Sequence, residues 1–300
     1  MAGMTDVPLR TLAWRMGAGY MVSEMVGSKP QLWDTGKSRL RRVPVAGVEH
    51  NAVQLAGTDP QQLADAARSH VDEGADVIDL NFGCPAKKVC RKAAGSALLA
   101  DIDHMAHLIE AVAQAVAVPV TVKTRLGLLP HDGLGVQAAR AAQNSGARML
   151  VIHARSRACR FVGAVNYAAV RPIKQAVAIP VLVNGDICDR DSLAQALRES
   201  GADGVMIGRA AIGQPWIFRQ LTDQPMPSVA EQWQLMDQQL CHMHEFYGDT
   251  MGVRIARKHV QAFLNHQDMG QCIAGFMRLQ QPQQQRHYLH KMSEEQSLAA

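Results

Sequence analysis

The chain is poor in aromatic residues, which make up 5% of its 300 positions, and that scarcity argues against a β-sandwich and for helices packed over a parallel sheet. Paired cysteines are missing too. The six, Cys84, Cys90, Cys159, Cys188, Cys241 and Cys272, form no CxxC pair and no zinc spacing. That pattern excludes a disulfide-stapled scaffold, predicts no metal site and fits a reducing cytoplasm. No stretch approaches the roughly 18 consecutive apolar residues of a membrane span, and no basic-then-apolar leader is read at the start, so no membrane partner is expected. Charge of one sign is also scarce. With 31 Lys and Arg against 27 Asp and Glu, a polyanion would have to be met by local clusters rather than by a bulk field. Apolar residues are abundant, at 47%, enough for a sizeable core and against disorder as the dominant state. An α/β enzyme is the default reading.

One phrase recurs along the chain. Gly74-Ala75-Asp76 precedes VIDLN, Gly146-Ala147-Arg148 precedes MLVIH, Gly201-Ala202-Asp203 precedes GVMIG, and Gly17-Ala18-Gly19 precedes YMVSEM. A glycine after an amphipathic helix suits a left-handed C-cap, and the short apolar run after it suits a strand buried on both faces. Two more strands are announced by Pro119 and Pro180, residues that cannot donate to a ladder and so belong at a strand's start. Residues 52–56 bring the strand candidates to seven. Helix-period segments fall between them near 59–73, 102–116, 135–145, 167–176 and 189–200. Strict alternation of this kind predicts a parallel sheet, and residues 1–222 are read as a (β/α)8 TIM barrel whose first strand is absent. A linker at 223–228 then leads to helix-period segments near 229–247 and 251–265, so 228–300 is expected to be a small helical domain. Its Gln-rich tail at 280–285 reads as low-complexity and frayed.

In a barrel, chemistry gathers at the C-terminal ends of the strands. The polar residues that end the apolar runs are Gln54, Asn81 and Cys84, Lys123 and Arg125, His153 and Arg155, Asn184-Gly185-Asp186, and Gly208-Arg209. The last two groups suit a phosphate, since glycine amides at a helix start and an arginine attract anions. Lys123 could neutralise an anion that develops on a cofactor ring. A lone free cysteine is more often a small core residue than a reagent. Gly83 and Pro85 change that reading, because they present Cys84 on a loop at the barrel mouth. A thiol is mostly protonated at neutral pH and can hand a proton to a carbanionic carbon.

The motifs, taken in order, are Met1-Ala2-Gly3-Met4-Thr5-Asp6, Gln54-Leu55-Ala56-Gly57, Asp79-Leu80-Asn81-Phe82-Gly83-Cys84-Pro85-Ala86-Lys87-Lys88-Val89, Val122-Lys123-Thr124-Arg125-Leu126-Gly127, Ile152-His153-Ala154-Arg155, Asn184-Gly185-Asp186-Ile187 and Ile207-Gly208-Arg209-Ala210. In order and spacing they resemble those of the tRNA-dihydrouridine synthases over about residues 1–266. GCPAKKV, the later GSALL, Arg157-Ala158-Cys159 and the run from Arg254 to His259 are most similar to the bacterial B-type branch. The resemblance implies an FMN barrel that uses NADPH to reduce the 5,6 double bond of selected uridines in tRNA, with the helical domain helping to hold the RNA. It assigns flavin contacts to Met1, Ala2, Gln54, Lys123, His153, Asn184, Gly185, Asp186, Gly208 and Arg209. Cys84 becomes the acid that protonates C5 while hydride from the flavin reaches C6, with Asn81 beside it on the substrate. The sequence departs from the family in lacking the first strand and in its tail beyond His266.

Reducing a base within folded RNA requires that the nucleotide be unstacked and its flanking phosphates gripped. Three basic clusters could do this. Lys87, Lys88, Arg91 and Lys92 follow the Cys84 loop, Arg39, Arg41 and Arg42 form a second group, and Arg254, Arg257 and Lys258 share helical spacing. Two rival readings remain: an FMN barrel oxidoreductase acting on a free small molecule, and a non-catalytic RNA-binding remnant. A monomer in the cytoplasm is expected.

Overall fold

The computed structural model describes residues 1, 3–29, 31, 33, 35–91 and 93–299. Its strands are β1 (Met21–Val22), β2 (Val26–Gly27), β3 (Asn51–Ala56), β4 (Val77–Asn81), β5 (Val120–Arg125), β6 (Met149–His153), β7 (Val181–Asn184) and β8 (Gly204–Met206). The helices, in chain order, are α1 (Val7–Arg15), α2 (Gly36–Arg42), α3 (Pro60–Asp72), α4 (Lys87–Cys90), α5 (Ile102–Ala115), α6 (Leu134–Asn144), α7 (Arg171–Gln175), α8 (Arg190–Ser200), α9 (Ile217–Leu221), α10 (Val229–Tyr247), α11 (Asp249–His266), α12 (Ile273–Met277) and α13 (Pro282–Ala299). The chain divides into two compact units. One is Met1–Ala2 with Tyr20–Gly208, and the other is Gly3–Gly19 with Arg209–Ala300.

The first unit is a parallel sheet in the order β1-β3-β4-β5-β6-β7-β8, with β2 also on β3. Segments β1 and β2 are halves of one interrupted strand. Val22 lies opposite Ala52 while Val26 lies opposite Leu55, so four steps on one strand match three on the other. One inserted residue of that kind is a bulge. Among the described residues no pairing joins β8 back to β1, and the sheet is an open arc of a barrel-like α/β fold. The expected proline-marked strands begin at Val120 and Val181, and the Pro119 and Pro180 carbonyls still accept from Ile78 and Leu150. All four glycines of the repeated phrase have positive φ, from 64° at Gly201 to 100° at Gly146, the backbone that a left-handed helix end requires. Helix starts are capped by side chains: Asp59 on α3, Asp101 on α5, and a reciprocal Asp189–Ser192 box on α8. Strands β3 to β6 carry the wholly buried Leu55, Ile78, Leu80, Val122 and Leu150, as two-sided burial demands.

The second unit is helical. Trp233 and Trp216 both meet Phe263 edge-on, at 4.7 Å and 6.1 Å between ring centres. Leu12 and Met16 join this core, as do Phe276, Leu289 and Met292. The sequence reading assigns 1–222 to the barrel, whereas packing groups α1 and residues 209–221 with the helices. The expectation of a frayed, low-complexity tail is corrected. Pro282 opens α13, and Gln285 is fully buried, donating to the Val253 carbonyl and bonding His244 at 2.9 Å. Glutamine is a good helix former, and Gln285, Leu289 and Met292 fall at helical spacing on one buried face.

Candidate active site

The parallel register brings polar side chains of neighbouring strands to the same level. Gln54, Asp79 and Thr121 are direct partners across β3, β4 and β5. Asn81 lies opposite Lys123, and Arg125, His153 and Asn184 are partners on β5, β6 and β7. Strand side chains alternate, so these groups point to one face of the sheet.

The hydrogen bonds are directed. Gln54 Nε2 donates to Asp79 Oδ2 at 2.7 Å, Thr121 Oγ1 donates to Asp79 Oδ1 at 2.6 Å, and Asn81 Nδ2 donates to Gln54 Oε1 at 2.7 Å. Asn81 Oδ1 accepts from the Cys84 amide at 2.9 Å and the Gly83 amide at 3.2 Å. The Cys84 carbonyl accepts from Ser96 Oγ at 3.0 Å, and Arg125 Nε holds the Gly83 carbonyl at 2.6 Å. The loop that carries the half-buried Cys84 is therefore gripped through four backbone groups, both the amides and the carbonyls of Gly83 and Cys84. Close approach adds to this, since a side chain on Gly95 would meet the Cys84 carbonyl at 2.7 Å.

Lys123 Nζ donates to Asn184 Oδ1 at 3.0 Å, and Asn184 Nδ2 donates to the Met206 carbonyl. Burial pushes the Lys123 ammonium down to about 8, against the pull of Asp79. Burial pushes Asp79 up to about 6, against the bonds from Gln54 and Thr121 and the Lys123 charge. His153 is held down at about 3, first by burial and then by the charges of Lys123, Arg125 and Arg155. It is thus a neutral ring near neutral pH. Arg155 pairs with both carboxylate oxygens of Asp186. Gly185 has φ 136°, and its carbonyl accepts from Tyr167 at 2.5 Å.

Gly208 ends this unit, and an added Cβ there would lie 3.8 Å from Asn184 Nδ2 and Met1 Sδ. Ala2 and Lys92 lie outside the described residues. Arg209 is exposed and opens the helical unit in a short 3-10 turn. Lys87, Lys88 and Arg91 are exposed on and just after α4. A 320 Å³ cleft beside them is lined by Pro85, Lys87, Cys90, Leu128, Leu129, Arg157, Ala158 and Arg160. Its walls carry three cations and no carboxylate. On α11 the side chain of Arg254 is exposed, while Arg257 donates to the Leu279 carbonyl at 3.0 Å and Lys258 is half-buried.

The site reading missed Asp79 and Thr121. Both lie inside strands, as do Gln54 and Lys123, which the sequence reading took for strand ends although β3 runs on to Ala56 and β5 to Arg125. The available signal was an aspartate within the apolar run VIDL.

The family described as dihydrouridine synthase (Dus) matches residues 1–297 of the chain. The chain is 47% identical over 271 residues to the tRNA-dihydrouridine synthase B of Pseudomonas putida, covering 88% of this chain and 80% of that protein. It is 48% identical over 271 residues to the tRNA-dihydrouridine synthase B of Escherichia coli K12, covering 88% and 84%. Among solved structures, a morphinone reductase variant in complex with tetrahydroNAD aligns with a TM-score of 0.55 at 12% identity, over 74% of this chain and 83% of that one. That last likeness concerns the fold, a barrel of βα units.

Proposed function

The chain belongs to the dihydrouridine synthase family and to its B-type branch, and from that premise we propose how its residues divide the work. Its activity is the flavin-dependent reduction of uridine in tRNA. The C-terminal halves of the strands fit a flavin. Two side-chain amides, Gln54 and Asn184, and the Lys123 ammonium offer donors and acceptors suited to the polar edge of the ring. When bound, the flavin supplies hydride to C6 of the uracil. Lys123 neutralises negative charge on the ring, and neutral His153 contributes a hydrogen bond and no charge. Gly185 and Gly208 let the backbone approach the phosphate, and Met1, Ala2 and Arg209 keep the flavin contacts that the family resemblance assigns to them. Asp186 acts through Arg155, whose guanidinium it holds.

Cys84 gives the proton to C5, and Asn81, bound to the Cys84 amide, orients the base beside it. The observation that carries this reading is the loop grip, a thiol fixed through its own backbone at the end of β4. Lys87, Lys88 and Arg91 hold RNA phosphates, the adjoining cationic cleft takes a nucleotide flanking the uridine, and Arg254, Arg257 and Lys258 serve the helical unit in the same way. The reductant is NADPH, and the working form is a monomer in the cytoplasm. Six free thiols suit a reducing compartment, and no described helix is long and apolar enough to cross a membrane.

The test is nucleoside mass spectrometry of tRNA from a strain lacking its B-type synthase, complemented with this chain or with Cys84→Ala. Dihydrouridine should return with the parent chain and fall by about 10²- to 10⁴-fold with the variant, the span of a lost general acid. Equal dihydrouridine from both would remove Cys84 from its role.

A further inference from the structure

Asp79 is wholly buried in the middle of β4. A carboxylate there costs free energy that an apolar side chain would not, so its presence calls for a return. Its two oxygens take one proton each from Gln54 Nε2 and Thr121 Oγ1. At neutral pH the carboxyl is ionised, since burial raises it only to about 6. An ionised carboxylate accepts and never donates. Gln54 must therefore turn its NH2 toward Asp79 and its carbonyl toward Asn81. Asn81 must answer with its own NH2, which leaves its carbonyl for the Cys84 and Gly83 amides. With a neutral, two-way group at position 79, both amides could flip, and Asn81 would face the Cys84 amide donor to donor.

We propose that Asp79 is a positioning residue, the acceptor-only end of a hydrogen-bond chain through Gln54 and Asn81 that sets the polarity of the anchor on the Cys84 loop. Its bearing on the reaction rests on the reading of Cys84 as proton donor. The chain itself does not.

The experiment uses the flavin-loaded full chain and reads two quantities: the rate at which iodoacetamide alkylates Cys84, followed by peptide mass spectrometry, and dihydrouridine formation on tRNA. Asp79→Asn should raise the alkylation rate about fivefold, the factor for losing one ordinary hydrogen bond, and lower dihydrouridine formation by at least as much. Asn81→Ala, at the half-buried strand end, should raise alkylation similarly. The decisive variant transposes the charge. In the double substitution Gln54→Glu with Asp79→Asn, Asn81 again faces an acceptor-only group, so the Cys84 alkylation rate, compared at equal flavin content because Gln54 also meets the flavin, should return to the parent value. The proposal is overturned by unchanged alkylation in Asn81→Ala, by unchanged alkylation in a folded Asp79→Asn, or by a folded transposed pair whose alkylation rate stays at the Asp79→Asn value. If Cys84→Ala still forms dihydrouridine, the proton-donor reading falls and the alkylation series still decides the chain.

Discussion

Lys123 holds its charge where burial opposes it. The ammonium is lowered to about 8, supported by the Asn184 amide at 3.0 Å and by the field of Asp79. Near neutral pH it remains a cation, but one weakly solvated and so available to an anionic ring. Lys123→Met keeps the stem and removes the charge. It should yield protein that loses its flavin on purification, read as the ratio of visible to ultraviolet absorbance, and parent-like flavin content would refute the assignment. At this scale the sequence makes legible the polar residues that interrupt or close an apolar run, as with Gln54, Asn81, Lys123, His153 and Asn184, which the strand register brings to one face. It was silent on partners. Asp79 is visible as a letter in VIDLN, yet its bonds to Gln54 and Thr121 depend on the register of three strands. The Arg155–Asp186 pair likewise joins the ends of two strands, a proximity that chain spacing does not encode.

Elements were the most legible level, because their signals are local. The glycine caps, the prolines before β5 and β7, and the linker that ends at Ser228 before α10 are each read from a few neighbouring residues. Helix α13 is masked by its composition, since the glutamine run hides the helical spacing of its buried residues. Gln285 looks like filler in a glutamine run, yet it fills a buried position against His244 and Val253. The same unit holds a second buried histidine, His259 on α11, whose Nδ1 lies 3.3 Å from Gln239 Nε2. Burial keeps its ring down at about 3, against an ordinary value of 6.5. The unfolded chain thus binds a proton that the folded helix refuses. Stability should be intact above pH 6.5 and decline as pH falls from there toward 3. Asp79, raised to about 6, works in the opposite sense over the narrower span between 6 and 3.8. Thermal melting between pH 7.5 and 4.5 tests this. The midpoint should fall with acid, and His259→Gln should flatten the fall; identical slopes would show that the histidine is not responsible.

For the molecule as a whole, the small net charge of +4 means that any grip on RNA is local. The first unit gathers Lys87, Lys88 and Arg91 just past the Cys84 loop, all exposed. None of these three side chains bonds a carboxylate among the described residues, and neither do Arg157 and Arg160 of the neighbouring cleft. Cations left unpaired are the ones free to displace counterions from a phosphate backbone, and each such contact steepens the salt dependence of binding. Arg257, by contrast, already spends part of its guanidinium on the Leu279 carbonyl. The two groups should therefore differ in a measurement that counts ionic contacts. With tRNA affinity followed from low to moderate salt, replacing Lys87, Lys88 and Arg91 together by glutamine should lower the slope of log affinity against log salt by about 2 to 3, at roughly 0.7 to 0.9 per lost contact. Arg257→Gln should change it by less than one such step. Equal slopes for the parent and the triple variant would mean that the exposed cluster beside Cys84 faces water and not RNA.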